Sequence, residues 1–466
     1  MTASILPKAA SGATESAHNR TLASLSLIVL LSSLSSSIAN VGLPTLVREF
    51  QAPFADVQWV VIAYLLAVTA LVVSAGRLGD LLGRRRVLLA GIGLFSFASL
   101  LCSLAPALGW LITARAVQGA GAAVMMALTL ALVGGAVPKE RTGRAMGFLG
   151  SMSAVGTALG PTLGGLLIAA FGWRAMFAIN LPLGLVAAGL AYRYLPPDDT
   201  AKPGERTRFD LPGMALLAIT LCAYALALTQ DQDETFYPVL AAVTVIGLGL
   251  FLRVEMRREA PLVQPSLFRN TVFSSGFAMS ALVTTVMMAT LVVGPFYLSG
   301  GLGLSTAMTG LVMSAGPAAA ALAGVPSGHL VDRFGASKMT LQGLALMAVG
   351  ALMVSVWAAG HGIAGYLLPL MCLTAGFALF QAANNSAVLA EARPEQRGVI
   401  SGLLNLSRNL GFVTGASMMG AVFARASGGL AAGPEAVAHG LSVTFALAAG
   451  LILLAMGIAL FRLNRQ

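Results

Sequence analysis

The chain alternates between long apolar runs and short polar breaks, and each run has about the 20 residues that a helix needs to cross hydrocarbon. Fourteen helices are predicted: 22–43, 57–75, 87–105, 109–136, 145–170, 175–195, 210–230, 236–255, 272–297, 306–330, 339–358, 364–388, 398–424 and 439–461. The least distinct division separates the fifth from the sixth, where only Phe171-Gly172-Trp173-Arg174 intervenes. Two breaks are longer, polar and proline-bearing. One is 196–209, opening with Pro196-Pro197-Asp198-Asp199, and the other is 256–271, with Arg257, Arg258, Pro261, Pro265 and Arg269. Both read as linkers.

Composition agrees with the pattern. Of 466 residues, 57% are hydrophobic and only 10% charged, too little charge to cover a soluble protein of this size. The sequence describes a polytopic membrane protein. Lys8 and Arg20 ahead of an apolar stretch imitate a signal peptide, but the stretch outruns the usual length and is the first of many, so it reads as an uncleaved span.

Charge then fixes the sides. With the N-terminus in the cytoplasm, only Arg48, Arg174 and Arg425 fall in outer loops and only Arg115 and Arg408 within spans; the other 23 of 28 Lys and Arg are cytoplasmic. That bias puts both termini inside. The net charge of +10 could point to nucleic acid, yet no basic block is interleaved with aromatics, so none is expected as a partner.

A polar motif occurs twice, 252 residues apart: Gly76-Arg77-Leu78-Gly79-Asp80-Leu81-Leu82-Gly83-Arg84-Arg85-Arg86 and Gly328-His329-Leu330-Val331-Asp332-Arg333-Phe334-Gly335-Ala336-Ser337-Lys338. Both fit G-x-L-x-D-x-x-G-x-x-R/K, and each separates two apolar runs. The repeat aligns 57–105 with 306–358 and divides the chain. The parts are a tail (1–21), a six-helix bundle (22–195), a linker (196–209), an inserted helix pair (210–255), a linker (256–271), a second six-helix bundle (272–462) and a tail (463–466). Duplicated bundles are how transporters build a site that opens to each side in turn.

The motif glycines permit a tight turn and close helix approach, and Asp80 can accept from a helix N-terminus or pair with an arginine. A plain positively charged loop is the alternative. Arg115, inside an apolar helix, costs about 2.5–3.5 kcal/mol to insert and so calls for a polar cavity or partner, unless it snorkels to an interface. Gly156, Gly160 and Gly164 share one helix face with Pro161 beside it, and Gly411, Gly415 and Gly420 repeat the stripe 255 residues after Gly156, Gly160 and Gly165. This reads either as a hinge between the halves or as static packing. Gln381, Asn384 and Asn385, and likewise Asn405, Arg408 and Asn409, form polar stripes at helical spacing that line a cavity or glue helices together. Met125, Met126, Met287 and Met288 offer an adaptable wall or fill gaps.

Some chemistries are not encoded. There is no G-x-x-x-x-G-K-S/T phosphate loop, and His18, His329, His361 and His439 are scattered. Cys102, Cys222 and Cys372 each lie alone in an apolar run, as small core residues do. No enzyme activity, cofactor or metal is expected. A receptor-like scaffold is disfavoured, because the longest tail is about twenty residues.

The motif at 76–86, Arg115-x-x-Gln118-Gly119 and the glycine-proline stretch at 156–165 resemble the major facilitator superfamily, specifically its fourteen-helix drug:proton antiporter branch. Trp59 with Tyr64, and Ser37-Ile38-Ala39-Asn40-Val41-Gly42-Leu43-Pro44, support the match, which covers 22–462. The resemblance implies an all-α major facilitator fold in the inner membrane that exports amphipathic compounds in exchange for protons. It implies a conformational latch at Gly76, Gly79, Asp80, Gly83 and Arg84, with Asp332 and Gly335 in the second copy. An antiporter hinge is implied at Gly156, Gly160, Pro161, Gly164 and Gly165, and a coupling role for Arg115. Asp80 and Glu391 are the acidic candidates for carrying a proton, and Ser35, Asn40, Tyr64, Gln118, Gln381, Asn384, Asn385, Asn405 and Arg408 for lining the cavity. One position departs from the family. The first helix usually carries an Asp two residues before Ser37; here it is Ser35, and no span interior holds an Asp or Glu. Two readings stay open: a proton-linked exporter of drugs or metabolites, and a facilitator or single-product exporter without proton coupling. Small molecules, protons and the bilayer are the expected partners, and the chain is expected to act as a monomer.

Overall fold

The computed structural model describes residues 8–136, 142–198, 211–229, 236–256, 265–358, 360–393, 396–428 and 433–463. Predicted and observed helices agree to within a turn or so at most ends. The first half contains α1 (Lys8–Phe50), α2 (Phe54–Val57), α3 (Trp59–Leu82), α4 (Arg84–Ser103), α5 (Leu108–Ala136), α6 (Thr142–Phe171), α7 (Ala175–Ala178) and α8 (Asn180–Tyr194). Then come α9 (Leu211–Thr229) and α10 (Phe236–Met256). The second half contains α11 (Thr271–Phe296), α12 (Thr306–Phe334), α13 (Ala336–Trp357), α14 (Gly362–Glu391), α15 (Arg397–Thr414), α16 (Gly420–Ala426) and α17 (Pro434–Leu463). A π-helical turn, Gly415–Met419, joins α15 to α16, and another, Tyr297–Gly301, extends α11.

Among the described residues, eleven helices are long and apolar enough to cross a membrane. α9 and α10 contribute the shorter apolar stretches Ala215–Thr229 and Pro238–Phe251. Polar residues are tolerated within the spans because many return their hydroxyls to the carbonyl four residues back, as Ser32 does to Ile28, Ser99 to Phe95, Thr69 to Leu65 and Thr444 to Gly440. The split between α6 and α7 is real: Gly172 takes φ +82°, where a side chain would be strained.

Helix α1 begins at Lys8. One expectation is corrected: the repeated motif, left between two predicted helices, is not a loop. Gly76 to Leu82 continue α3 and Arg84 to Arg86 begin α4, so only Gly83 breaks the helix.

Within the first half, α1 packs on α6, α3 and α4 on α5, and α8 on α4 and α1; within the second, α13 packs on α14 and α17, α12 on α14, and α11 on α15 and α17. The halves join mainly through α6 with α12 and α1 with α11. On the other side α9 lies against α3 and the π turn after α15, and α10 covers α9. Leu221 and Ala225 of α9 are buried in the main core, whereas Val243, Val245, Ile246 and Leu248 of α10 are exposed, the surface expected of a helix facing lipid.

Candidate functional site

Both copies of the repeated motif are built alike. Gly83 (φ +99°) and Gly335 (φ +87°) each end one helix and start the next, with Gly83 N–H donating to the Gly79 carbonyl at 3.0 Å and Gly335 N–H to Val331 at 2.9 Å. Gly79 is needed for packing, because a β-carbon would run into Leu128 of α5, whereas Gly76 faces open space. Asp80 pairs with Arg84 at 2.9 Å, and Arg84 also donates to the Ala131 carbonyl at 3.3 Å. In the second copy Ala336 stands in the place of Arg84, so Asp332, which is exposed, has no equivalent arginine.

One residue of this region was not foreseen. Asp198, just past α8, accepts from the backbone N–H groups of Arg85 (2.8 Å) and Arg86 (3.1 Å). It supplies the N-terminal cap that Gly83 cannot. Arg85 in turn donates to the Tyr192 carbonyl and lies 5.2 Å over the Tyr192 ring. The only signal in the sequence was an acidic pair at the head of a linker.

Arg115 is fully buried in the first half, neither at an interface nor in an open cavity. Its Nε donates to the Val60 carbonyl at 2.9 Å and Nη1 to Gln118 Oε1 at 2.5 Å, while Gln118 Nε2 donates to Ser99 Oγ at 2.7 Å. The guanidinium stacks 4.3 Å from the Tyr64 ring, and Tyr64 Oη reaches the Ser32 carbonyl at 3.4 Å. α3, α4 and α5 are thus tied together around one cation, whose Nη2 is left without a partner. Ser35 and Asn40 of α1 are buried as well, the Ser35 hydroxyl unpartnered and the Asn40 amide returned to the Ser36 and Ser37 carbonyls.

The glycine stripe divides its work. β-Carbons on Gly156, Gly160 and Gly164 would strike α1 at Leu30, Ser37 and Ile38, so these three seat α1 within their own half. Gly165 and the Pro161 carbonyl instead meet Thr306 and Gly310 of α12, where Thr162 and Ser314 also share a hydrogen bond. The second half repeats the division, with Gly411 and Gly415 against α11 and Gly420 against Gln58 and Phe54. Phe54 packs edge-on to Phe296 at 4.7 Å and to Phe423 at 5.9 Å. All these contacts between halves lie at the end opposite the repeated motifs. Toward the motif end Val155 and Leu159 of α6, and Leu322 and Val325 of α12, are exposed.

In the second half α14 and α15 meet the same face of α11. Asn384, fully buried, donates to the Gly276 carbonyl at 3.0 Å and Ser280 Oγ at 3.1 Å; Thr284, one turn on, donates to the Ser280 and Arg408 carbonyls at 2.7 and 3.1 Å. Gln381, Asn385, Asn405 and Arg408 are half-buried. Glu391 is exposed at the end of α14 and accepts from Asn270 at 3.4 Å, so neither it nor Asp80 lies inside the bundle. Met125 and Met288 are buried core residues.

A bundle of membrane-length helices, doubled around a closed glycine-proline seam, has the build of a multi-pass membrane transporter. Residues 25–416 match the family model of the Major Facilitator Superfamily, and the chain belongs to that family. It is 32% identical over 397 residues to the riboflavin transporter RibZ of Clostridioides difficile, spanning 85% of this chain and 86% of that one. To the multidrug resistance protein Stp of Mycobacterium tuberculosis it is 33% identical over 409 residues (87% and 75%), and to the methylenomycin A resistance protein of Streptomyces coelicolor 30% over 441 (93% and 90%). Among solved structures it is similar to a bacterial homologue of the human lysosomal transporter Spinster, inward-facing and unoccupied, with a TM-score of 0.70 at 17% identity over 95% of this chain and 96% of that one. The xylose transporter XylE of Escherichia coli, partially occluded and inward open, gives 0.68 at 14% identity (96% and 98%).

Proposed function

We propose that the protein is a secondary exporter of the bacterial inner membrane that moves amphipathic drugs or metabolites outward by alternating access. In this reading α9, α10 and α15 with α16 also span, which makes fourteen helices in a six, two, six arrangement with both termini cytoplasmic. The bias of Lys and Arg toward one side supports that orientation. One observation carries the proposal: the halves touch at the outer end, at Pro161 and Gly165 against Thr306 and Gly310, while α6 and α12 expose side chains toward the cytoplasmic end. That is one of the two states a rocking carrier must visit.

Export is supported by the drug-resistance names among the relatives, and exchange for protons by the glycine-proline stretch at 156–165. Asp80 with Arg84 then acts as a latch between α3 and α4, and Arg115 holds the first half rigid near the solute path. A second reading, transport without proton coupling, is favoured by Ser35 and by the lack of any Asp or Glu deep in a span. Reconstituted transport of a dye and antibiotic panel, with and without an imposed proton gradient, separates the two. Uptake that responds to the gradient supports antiport, and gradient-independent exchange supports the second reading. No transport of any compound would count against both.

A further inference from the structure

Arg408 lies eleven residues into α15, about 16 Å along the helix axis and so near the middle of a bilayer core about 30 Å thick. Its Nε is buried and has no hydrogen-bond partner. No carboxylate lies at that depth, because every Asp and Glu falls in the first or last turn of an apolar span or outside one. Beside it Asn409 is buried with its Nδ2, a donor, unpartnered. The Arg408 backbone carbonyl meets Thr284 of α11, whose hydroxyl donates to it at 3.1 Å, and this fixes the depth of α15 against α11. The π-helical turn that begins at Gly415 interrupts α15 two turns beyond, a distortion frequent at functional sites. Arg115, the other deep cation, is committed to Val60, Gln118 and the Tyr64 ring. Arg408 is therefore a half-buried cation with an unpartnered Nε beside an unused Asn409 amide donor, and among the described residues it forms no ion pair.

We infer that the second half holds a subsite for an anionic group, carboxylate, phosphate or sulfonate, centred on the Arg408 guanidinium with the Asn409 amide N–H as second donor. The inference rests on the transporter reading and narrows its substrate class: the favoured solutes are amphipathic anions, and lipophilic cations are disfavoured. The same chemistry could be met by a transported solute or by an anionic lipid headgroup.

The test uses the full-length protein in phosphatidylcholine nanodiscs and two dyes of one scaffold, the anion fluorescein and the cation rhodamine 6G. Fluorescein should bind at least tenfold more tightly than rhodamine 6G. Arg408→Gln should lose that preference, and Arg408→Lys should keep most of it. If Arg408→Gln fails to fold, Asn405→Asp, at a half-buried position one turn away, should cancel the charge and give the same loss. Equal affinities, tighter binding of the cation, no binding of fluorescein, or an unchanged preference in Arg408→Gln would each overturn the inference. Adding phosphatidylglycerol separates the two sources: weakened fluorescein binding assigns the subsite to a headgroup, and unchanged binding to a solute. Counterflow in proteoliposomes keeps this test apart from the broader reading. Transport of rhodamine 6G alone sinks the anion subsite and spares the transporter, whereas bound but untransported fluorescein does the reverse.

Discussion

Gly310 of α12 faces the carbonyl of Pro161 in α6 with no room for a β-carbon between them. Pro161 sits inside its helix, and the glycine opposite lets two backbones touch where the halves close. Under the proposed alternating access, this contact forms anew each time the outer end shuts. Any side chain at position 310 therefore wedges the closed state without disturbing the core of either half.

Gly310→Leu should accordingly lower transport at least tenfold while leaving insertion intact. A cysteine placed at Ser314, which now shares a hydrogen bond with Thr162, should react faster with an impermeant maleimide added outside. Unchanged labelling would mean that the seam tolerates bulk and is not a closure point.

The Arg115 cluster yields a graded series. Arg115→Ala removes the donor to Val60 and Gln118 and leaves the buried Gln118 Oε1 unpaired, at about 1–3 kcal/mol, besides opening a void, so both thermal stability and transport should fall sharply. Arg115→Lys should not rescue it, because one ammonium cannot serve both acceptors and stack on Tyr64. Tyr64→Phe keeps the ring under the guanidinium and loses only a 3.4 Å hydrogen bond, so it should cost less than about 1.5 kcal/mol. Thermal unfolding beside proteoliposome transport measures all three.

The positions of the spans were readable because hydropathy needs no knowledge of neighbours: 236–255 was expected and Phe236–Met256 is observed. Partners were not readable in the same way. Gly164 and Gly165 are adjacent in sequence, yet a rotation of about 100° between them sends one to α1 and the other to α12. A stripe of small residues therefore announces close packing without naming what is packed. Arg115 was expected to need a polar surrounding, which it has, but its surrounding is the sealed interior of one half, assembled from α3, α4 and α5. Asp198 was hidden for a related reason, since a cap supplied 112 or 113 residues away depends on where α8 ends in space.

Asp198 and Asp80 should differ in kind. Asp198→Ala removes the cap of α4, which typically costs about 0.5–2 kcal/mol, and should raise amide exchange over the first turn of that helix. Asp80→Asn breaks the pair with Arg84 at the surface, so it should slow turnover more than it weakens substrate binding. A loss of affinity with unchanged turnover in Asp80→Asn would contradict its role as a latch.

The central claim is that solute crosses only if the seam between α6 and α12 opens. It is tested most directly by Thr162→Cys with Ser314→Cys, in a chain whose Cys102, Cys222 and Cys372 have been replaced by alanine. Oxidation should stop transport in proteoliposomes, and reduction should restore it to the level of the alanine-substituted parent. Full transport through the cross-linked protein would contradict alternating access about this seam.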